Sequence, residues 1–139
     1  WEHDVRIDHS SGMWQFYHVP ISLAATGDVY ARALVRRQEA ARSLEFLLKL
    51  LPSLPHGEIF SPPGALKTGA LAVSMVEGWR GEIMHVGITD RQGALTRYKI
   101  KDPSFHNWFA LTLAMRNQEI SDFPLCNKSF NLSYCGHDL

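Results

Sequence analysis

Three places in this 139-residue chain hold side chains whose type and spacing suit chemistry. In the tail, Cys126, Cys135 and His137 are soft or borderline metal ligands within twelve residues. A Cys-x8-Cys pair is wider than the Cys-x2-Cys loop that sets two thiolates on one ion, and a free cysteine also packs as a small buried hydrophobe. In the middle, Trp79-Arg80-Gly81-Glu82 combines a planar fork of donors, a residue that lets backbone approach closely, and a carboxylate suited to proton relay. The same four residues also suit a β-turn with a surface ion pair worth under ~1 kcal/mol. Near the start, Asp4, Arg6, Asp8 and His9 form a charge cluster that reads as a polar cavity wall, a subunit contact or a solvated face. His18, beside Tyr17, reads as a packed histidine. Arg32, Arg36 and Glu39 share one helical side, where Glu39 is spaced to pair with Arg36 or Arg42.

The elements that must position these groups follow from periodicity. The first 26 residues, with Trp1, Glu2, His3, Trp14 and Phe16, show no helical period and read as loop with short extended pieces. Asp28 to Leu51 is predicted as a helix roughly 35 Å long. Tyr30, Leu34, Ala41, Leu44, Leu48 and Leu51 recur on one face, and Asp28 caps its start. Arg37 interrupts the stripe, and Phe46, Leu47 and Leu50 widen it, so the C-terminal end expects neighbours on more than one side. Pro52 and Pro55 end the helix. Gly69 to Lys101 alternates as strands, with a turn at Asp90-Arg91-Gln92-Gly93 and a preceding third strand. A second helix is predicted from about Ser104 to Asn117, with Trp108, Leu111 and Met115 on its face. Pro124 is expected to stop any continuation, and the tail shows no strong period. The fold class is therefore α+β: a long helix, an antiparallel sheet of about three strands and a shorter helix.

Composition bounds the function. Lys plus Arg equals Asp plus Glu at 14 each, so no cationic excess exists to neutralise phosphates, and nucleic acid is not an expected partner. Apolar residues are 45%, enough for a core. No apolar run approaches the ~20 residues of a spanning helix. Two cysteines are too few for a disulfide framework, which points to a reducing compartment. The two Asn-x-Ser patterns at Asn127 and Asn131 are then chance matches. The opening on Trp1 reads as a fragment or a trimmed chain.

Read in order, the clusters become specific. They run Asp4-x-Arg6-x-Asp8-His9-x-x-Gly12, then Gly27-Asp28-x-x-x-Arg32-x-x-Val35-Arg36-x-x-Glu39-x-x-x-Ser43. Arg80-Gly81-Glu82-x-x-His85 follows, then Tyr98-x-Ile100-x-x-Pro103-Ser104-Phe105, and last Ser129-Phe130-Asn131-Leu132-Ser133-Tyr134-x-Gly136-x-Asp138. Over nearly its whole length the chain resembles the C-terminal part of the large subunit of membrane-linked [NiFe]-hydrogenases, of the formate hydrogenlyase type. It equally resembles the D subunit of respiratory complex I, the NADH:quinone oxidoreductase.

The resemblance implies that residues 1–139 are a C-terminal domain whose N-terminal half, several hundred residues, lies elsewhere. In the family's hydrogenases a C-terminal Cys-x-x-Cys supplies half of the nickel–iron ligands. The matching positions here are Ser133 and Gly136, neither of which offers a thiolate. Cys135 lies one residue off that pattern. In this respect the tail is closer to the complex I subunit, which ends where Leu139 does. The resemblance further implies that Arg80 lines the cavity of the metal centre or inner quinone region, that Glu82 serves a proton path, and that His85 faces the same cavity. It places NADH on another subunit, and iron–sulfur clusters and quinone in the partners or the whole complex. Implied partners are the N-terminal half, a small iron–sulfur subunit and membrane-arm subunits, on the cytoplasmic side of the membrane. The implied reaction is proton-coupled electron transfer, with the isolated chain inactive. The alternative is an inert structural domain that docks an iron–sulfur subunit.

Overall fold

The computed structural model describes residues 3–137. Trp1, Glu2, Asp138 and Leu139 lie outside the described residues, as does the side chain of His137. The chain starts with a one-turn helix α1 (Val5–Asp8) and a 3-10 turn (Gly12–Gln15), so the expected loop has short helical pieces in place of extended ones. Asp4 explains the first: its carboxylate accepts the Arg6 N–H at 2.9 Å and caps the turn. The helix α2 (Val29–Leu50) follows, capped by Asp28 through the Ala31 N–H at 2.7 Å and closed by a 3-10 turn that carries Pro52.

Strands β1 (Leu71–Gly78), β2 (Gly81–Thr89) and β3 (Leu95–Lys101) form an antiparallel meander in that order. Trp79 and Arg80 are the two-residue turn between β1 and β2, with Gly78 opposite Gly81. Gly81 has φ of 125°, a backbone that favours glycine. The second turn is held by Asp90, whose Oδ1 accepts the N–H groups of Gln92 at 2.8 Å and Ala94 at 2.9 Å.

The second predicted helix is α3 (Ser104–Ala114), three residues shorter than expected. The tail departs from expectation. It folds into α4 (Phe123–Phe130) and the short α5 (Tyr134–His137). Pro124 sits in the first turn of α4, where its missing N–H would have had no partner, so it opens a helix and does not stop one. Asn131, in the left-handed conformation with φ of 48°, ends α4.

The core is small. Leu111, Cys126 and Leu132 are buried together, with Val29, Trp108, Met115 and Phe130 packed against them. The predicted stripe of α2 is not part of it: Tyr30, Leu44, Leu48 and Leu51 are each more than half exposed. The side of α2 turned to its own chain carries Arg32, Val35, Arg36, Glu39 and Arg42. The helix thus presents its charged side inward and its leucine side outward. The whole-chain figure agrees. Accessible surface is 10879 Å², against ~7,300 Å² for a normally packed monomer of this mass.

Candidate functional site

Two polar clusters meet on the inward side of α2. In the first, both oxygens of Asp4 accept from Arg6, with Nη2 on Oδ2 at 2.5 Å and Nε on Oδ1 at 2.9 Å. Arg6 Nη2 reaches on to Glu39 Oε2 at 3.1 Å, and Glu39 Oε1 accepts the Ser22 N–H at 2.9 Å. Glu77 Oε2, from the end of β1, accepts the Val5 N–H at 3.0 Å. These groups wall a cavity of about 400 Å³. Asp4 is 5% exposed, so here the cluster is a cavity wall, while Asp8 and His9 stay exposed. Burial pushes the Asp4 carboxyl up, but the Arg6 hydrogen bonds and charge outweigh it and leave it below the usual carboxylate range. Burial holds Glu77 above that range.

Glu39 therefore pairs with neither expected partner. Arg36 donates to the Phe130 carbonyl at 2.7 Å, and Arg42 donates to the Pro20 carbonyl at 2.9 Å and Ser22 Oγ at 2.7 Å. Tertiary contacts across 17 to 94 residues replace the local i,i+3 pairs.

The second cluster is cationic. Arg36 lies over the Trp79 ring with its central carbon 4.3 Å from the centroid, and Arg80 shares that ring at 4.8 Å. Arg32 lies 4.2 Å from the Phe130 centroid, donates to Ser129 Oγ at 2.8 Å and to the Gly27 carbonyl at 2.6 Å. Arg80 Nε donates to the Asn131 carbonyl at 2.5 Å. The three arginines thus grip the C-terminal end of α4, where helix carbonyls lack internal partners.

Of the three residues that the motif order put in one cavity, Arg80 points to the tail. Glu82 bonds Lys101 at 3.2 Å and lies 3.8 Å from His3 Nε2. His85 Nδ1 is 2.5 Å from the Tyr98 hydroxyl, on the opposite sheet face from Glu82 by strand parity. Within this chain they do not converge.

The tail positions tested for a metal are filled by hydrogen bonds. Ser133 Oγ accepts the Gly136 N–H at 2.9 Å, and the Ser133 N–H donates to Ser104 Oγ at 3.0 Å. Asp102 Oδ1 accepts the Ser104 N–H at 2.7 Å. A Cβ built on Gly136 would overlap the Asp102 carboxyl group and come within 2.8 Å of its Cβ. Neither position can present sulfur, and one is blocked by a carboxylate, so these residues do not fit a thiolate-held nickel–iron group. Cys126 is buried in the core while Cys135 is exposed. Among the described residues no three of His, Cys, Asp or Glu are grouped for a metal. The residues missed from sequence are Glu77 and Asp102. A lone acid at the end of an apolar strand was the available signal for Glu77; nothing local pairs Asp102 with Gly136, 34 positions on.

A family model described as the respiratory-chain NADH dehydrogenase 49 Kd subunit matches residues 1–68. The chain is 31% identical over 129 residues to a carbon monoxide-induced hydrogenase of Rhodospirillum rubrum, covering 93% of this chain and 36% of that protein. It is 29% identical over 133 residues to hydrogenase-4 component G of Escherichia coli, covering 94% and 24%. Among solved structures, a chain of the membrane-bound sulfane sulfur reductase, an archaeal respiratory membrane complex, shares the fold. Its TM-score is 0.85 at 24% identity, over 99% of this chain and 39% of that one. The chain spans roughly a quarter to two fifths of each protein that it matches.

Proposed function

We propose that the chain is the C-terminal domain of a subunit in the large-subunit family that links membrane-bound hydrogenases to the 49 kDa, or D, subunit of respiratory NADH dehydrogenase, a reading supported by its similarity to members of both groups. In this reading it works inside a membrane-associated oxidoreductase complex that couples electron transfer to proton movement. The remaining two thirds of the subunit, a small iron–sulfur subunit and membrane-arm subunits are its partners, on the cytoplasmic side. Clusters, quinone and any NADH site belong to those partners. No described helix is long and apolar enough to cross a membrane.

One observation carries the reading: α2 turns its leucine side outward. Burying a leucine is worth ~1.5–3 kcal/mol, and Leu44, Leu48 and Leu51 forgo that here unless another chain segment covers them. A free-standing domain would turn the helix over.

Within the assembly, this chain's groups have separable tasks. The Asp4–Arg6–Glu39 bridge fixes the entry segment to α2, and Glu77 anchors it to the sheet. Glu82, held between Lys101 and His3, is a group that can take or pass a proton at the sheet's end. Arg80 fixes the start of the tail through Asn131. The tail is a hydrogen-bonded plug and holds no nickel–iron centre of its own. An inert domain that only docks an iron–sulfur subunit is the second reading, favoured by Gly136 and Ser133.

The test is purification through a tag on this chain from detergent-solubilised membranes of its source. Co-purification with an iron–sulfur protein and membrane-embedded subunits supports the proposal. A chain recovered alone, as a folded monomer, overturns it. Loss of the complex's electron transfer in Glu82→Gln, with assembly intact, separates the first reading from the docking-only one.

A further inference from the structure

Arg32, Arg36 and Arg80 converge on a cavity of about 260 Å³ whose wall also includes Trp79, Asn107 and Phe130. Each guanidinium carries five N–H donors. The bonds to Ser129, Gly27, Phe130 and Asn131 use no more than two nitrogens on any one of them. Every ion pair among the described residues involves other cations: His3, Arg6, Lys49 and Lys101. The three arginines hydrogen-bond only to neutral acceptors, the Ser129 hydroxyl and the carbonyls of Gly27, Phe130 and Asn131, although Arg36 also lines the larger cavity walled by Asp4, Glu39 and Glu77. The C-terminal end of α4 adds about half a negative charge. Burial, followed by the charges of Arg80 and Arg32, lowers the pKa of Arg36. Like charges held together carry a cost that an anion among them lowers.

We propose that this cavity is a seat for a carboxylate. Two neighbouring planar forks suit an oxyanion that accepts two parallel hydrogen bonds. The volume suits a carboxylate head and its first carbons, and is below that of a drug-sized ligand site. Two sources share this chemistry: an acidic side chain of protein packed over the cavity, and a small carboxylate from solution. The inference stands on the cavity alone, and only the question of source draws on the proposed assembly.

The experiment titrates the full chain, labelled with nitrogen-15, with sodium acetate, and in parallel with sodium chloride at matched ionic strength. The arginine Nε–H and Trp79 indole N–H signals are followed. Acetate should give a saturable shift on Arg36, Arg80 and Trp79 that chloride does not. Arg36→Gln, which keeps a donor for Phe130, should weaken acetate at least tenfold. Arg80→Gln, in the half-buried β1–β2 turn, is the second variant, with the same loss expected. Identical linear shifts with both salts, or full affinity in both variants, would overturn the proposal. Source is read in the tagged complex. Thermal stabilisation by acetate that disappears in Arg80→Gln identifies a ligand from solution. No response to acetate, with a fall in complex yield in Arg80→Gln, identifies a protein carboxylate. A complex indifferent to both acetate and Arg80→Gln counts against either source.

Discussion

Gly136→Ala tests how the tail is built. The added methyl would overlap the Asp102 carboxyl group, which is itself fixed by the Ser104 N–H at 2.7 Å in a region where Ser104 is fully buried. Forcing a methyl into packed structure costs ~1–3 kcal/mol. In an unobstructed helix the same change would gain up to ~1 kcal/mol. Asp102→Ala alone loses the bond to Ser104 and should cost about 1 kcal/mol. In the Asp102→Ala background the carboxyl overlap is gone but the Cβ within 2.8 Å remains, so Gly136→Ala should cost less than in the parent without becoming stabilising. The expected coupling between the two positions is about 1 kcal/mol. Urea unfolding of the four proteins, followed by circular dichroism, measures it. If Gly136→Ala is tolerated in the parent, with coupling below ~0.5 kcal/mol, the Asp102–Gly136 contact is not as described. The same collision is the reason a cysteine at 136 would not seat.

Other outcomes follow from the same contacts. Arg6→Ala leaves Asp4 and Glu39 unpaired in a partly buried site and should cost about 3 kcal/mol, read as a lower urea midpoint. Glu77→Gln keeps an acceptor for the Val5 N–H and removes a charge that burial disfavours. Because the folded-state pKa of Glu77 is raised, its contribution is intact below the ordinary value of 4.5 and is lost as pH rises through the folded value. The variant should be more stable than the parent at neutral pH and equal to it in acid, and a constant gap across pH refutes this. Asp4 runs the other way: its lowered pKa stabilises above the ordinary value of 3.8 and the benefit is lost as pH falls through the folded value. Asp4→Asn should flatten that acid limb of the stability curve. Leu44→Lys with Leu48→Glu should reduce concentration-dependent light scattering of the isolated chain without lowering its helix content, since both side chains already face solvent.

Much of the architecture was legible because it is encoded locally. Asp28 and Pro52 bracket α2, and Asp90 to Gly93 place the second hairpin turn. What was not legible is long-range. The stripe of Leu44, Leu48 and Leu51 is a correct helical face, but periodicity cannot say whether its neighbour lies in the same chain. Pro124 carries two meanings, helix end and helix start, and only the Asp122 region that precedes it decides between them. Glu39 had partners one turn away and bonds Arg6, 33 residues distant, because the entry segment crosses α2 there. Of the candidate site, the Arg80 position was readable and its contact with Asn131, 51 residues on, was not.

At positions 133 and 136 the proposed redox-complex subunit offers nickel no thiolate. Metal and acid-labile sulfide analysis of the complex purified through this chain tests that most directly. Iron with matching sulfide and only trace nickel is the expected result. One nickel per chain, lost on mutation of Cys135 in the tail, would contradict it.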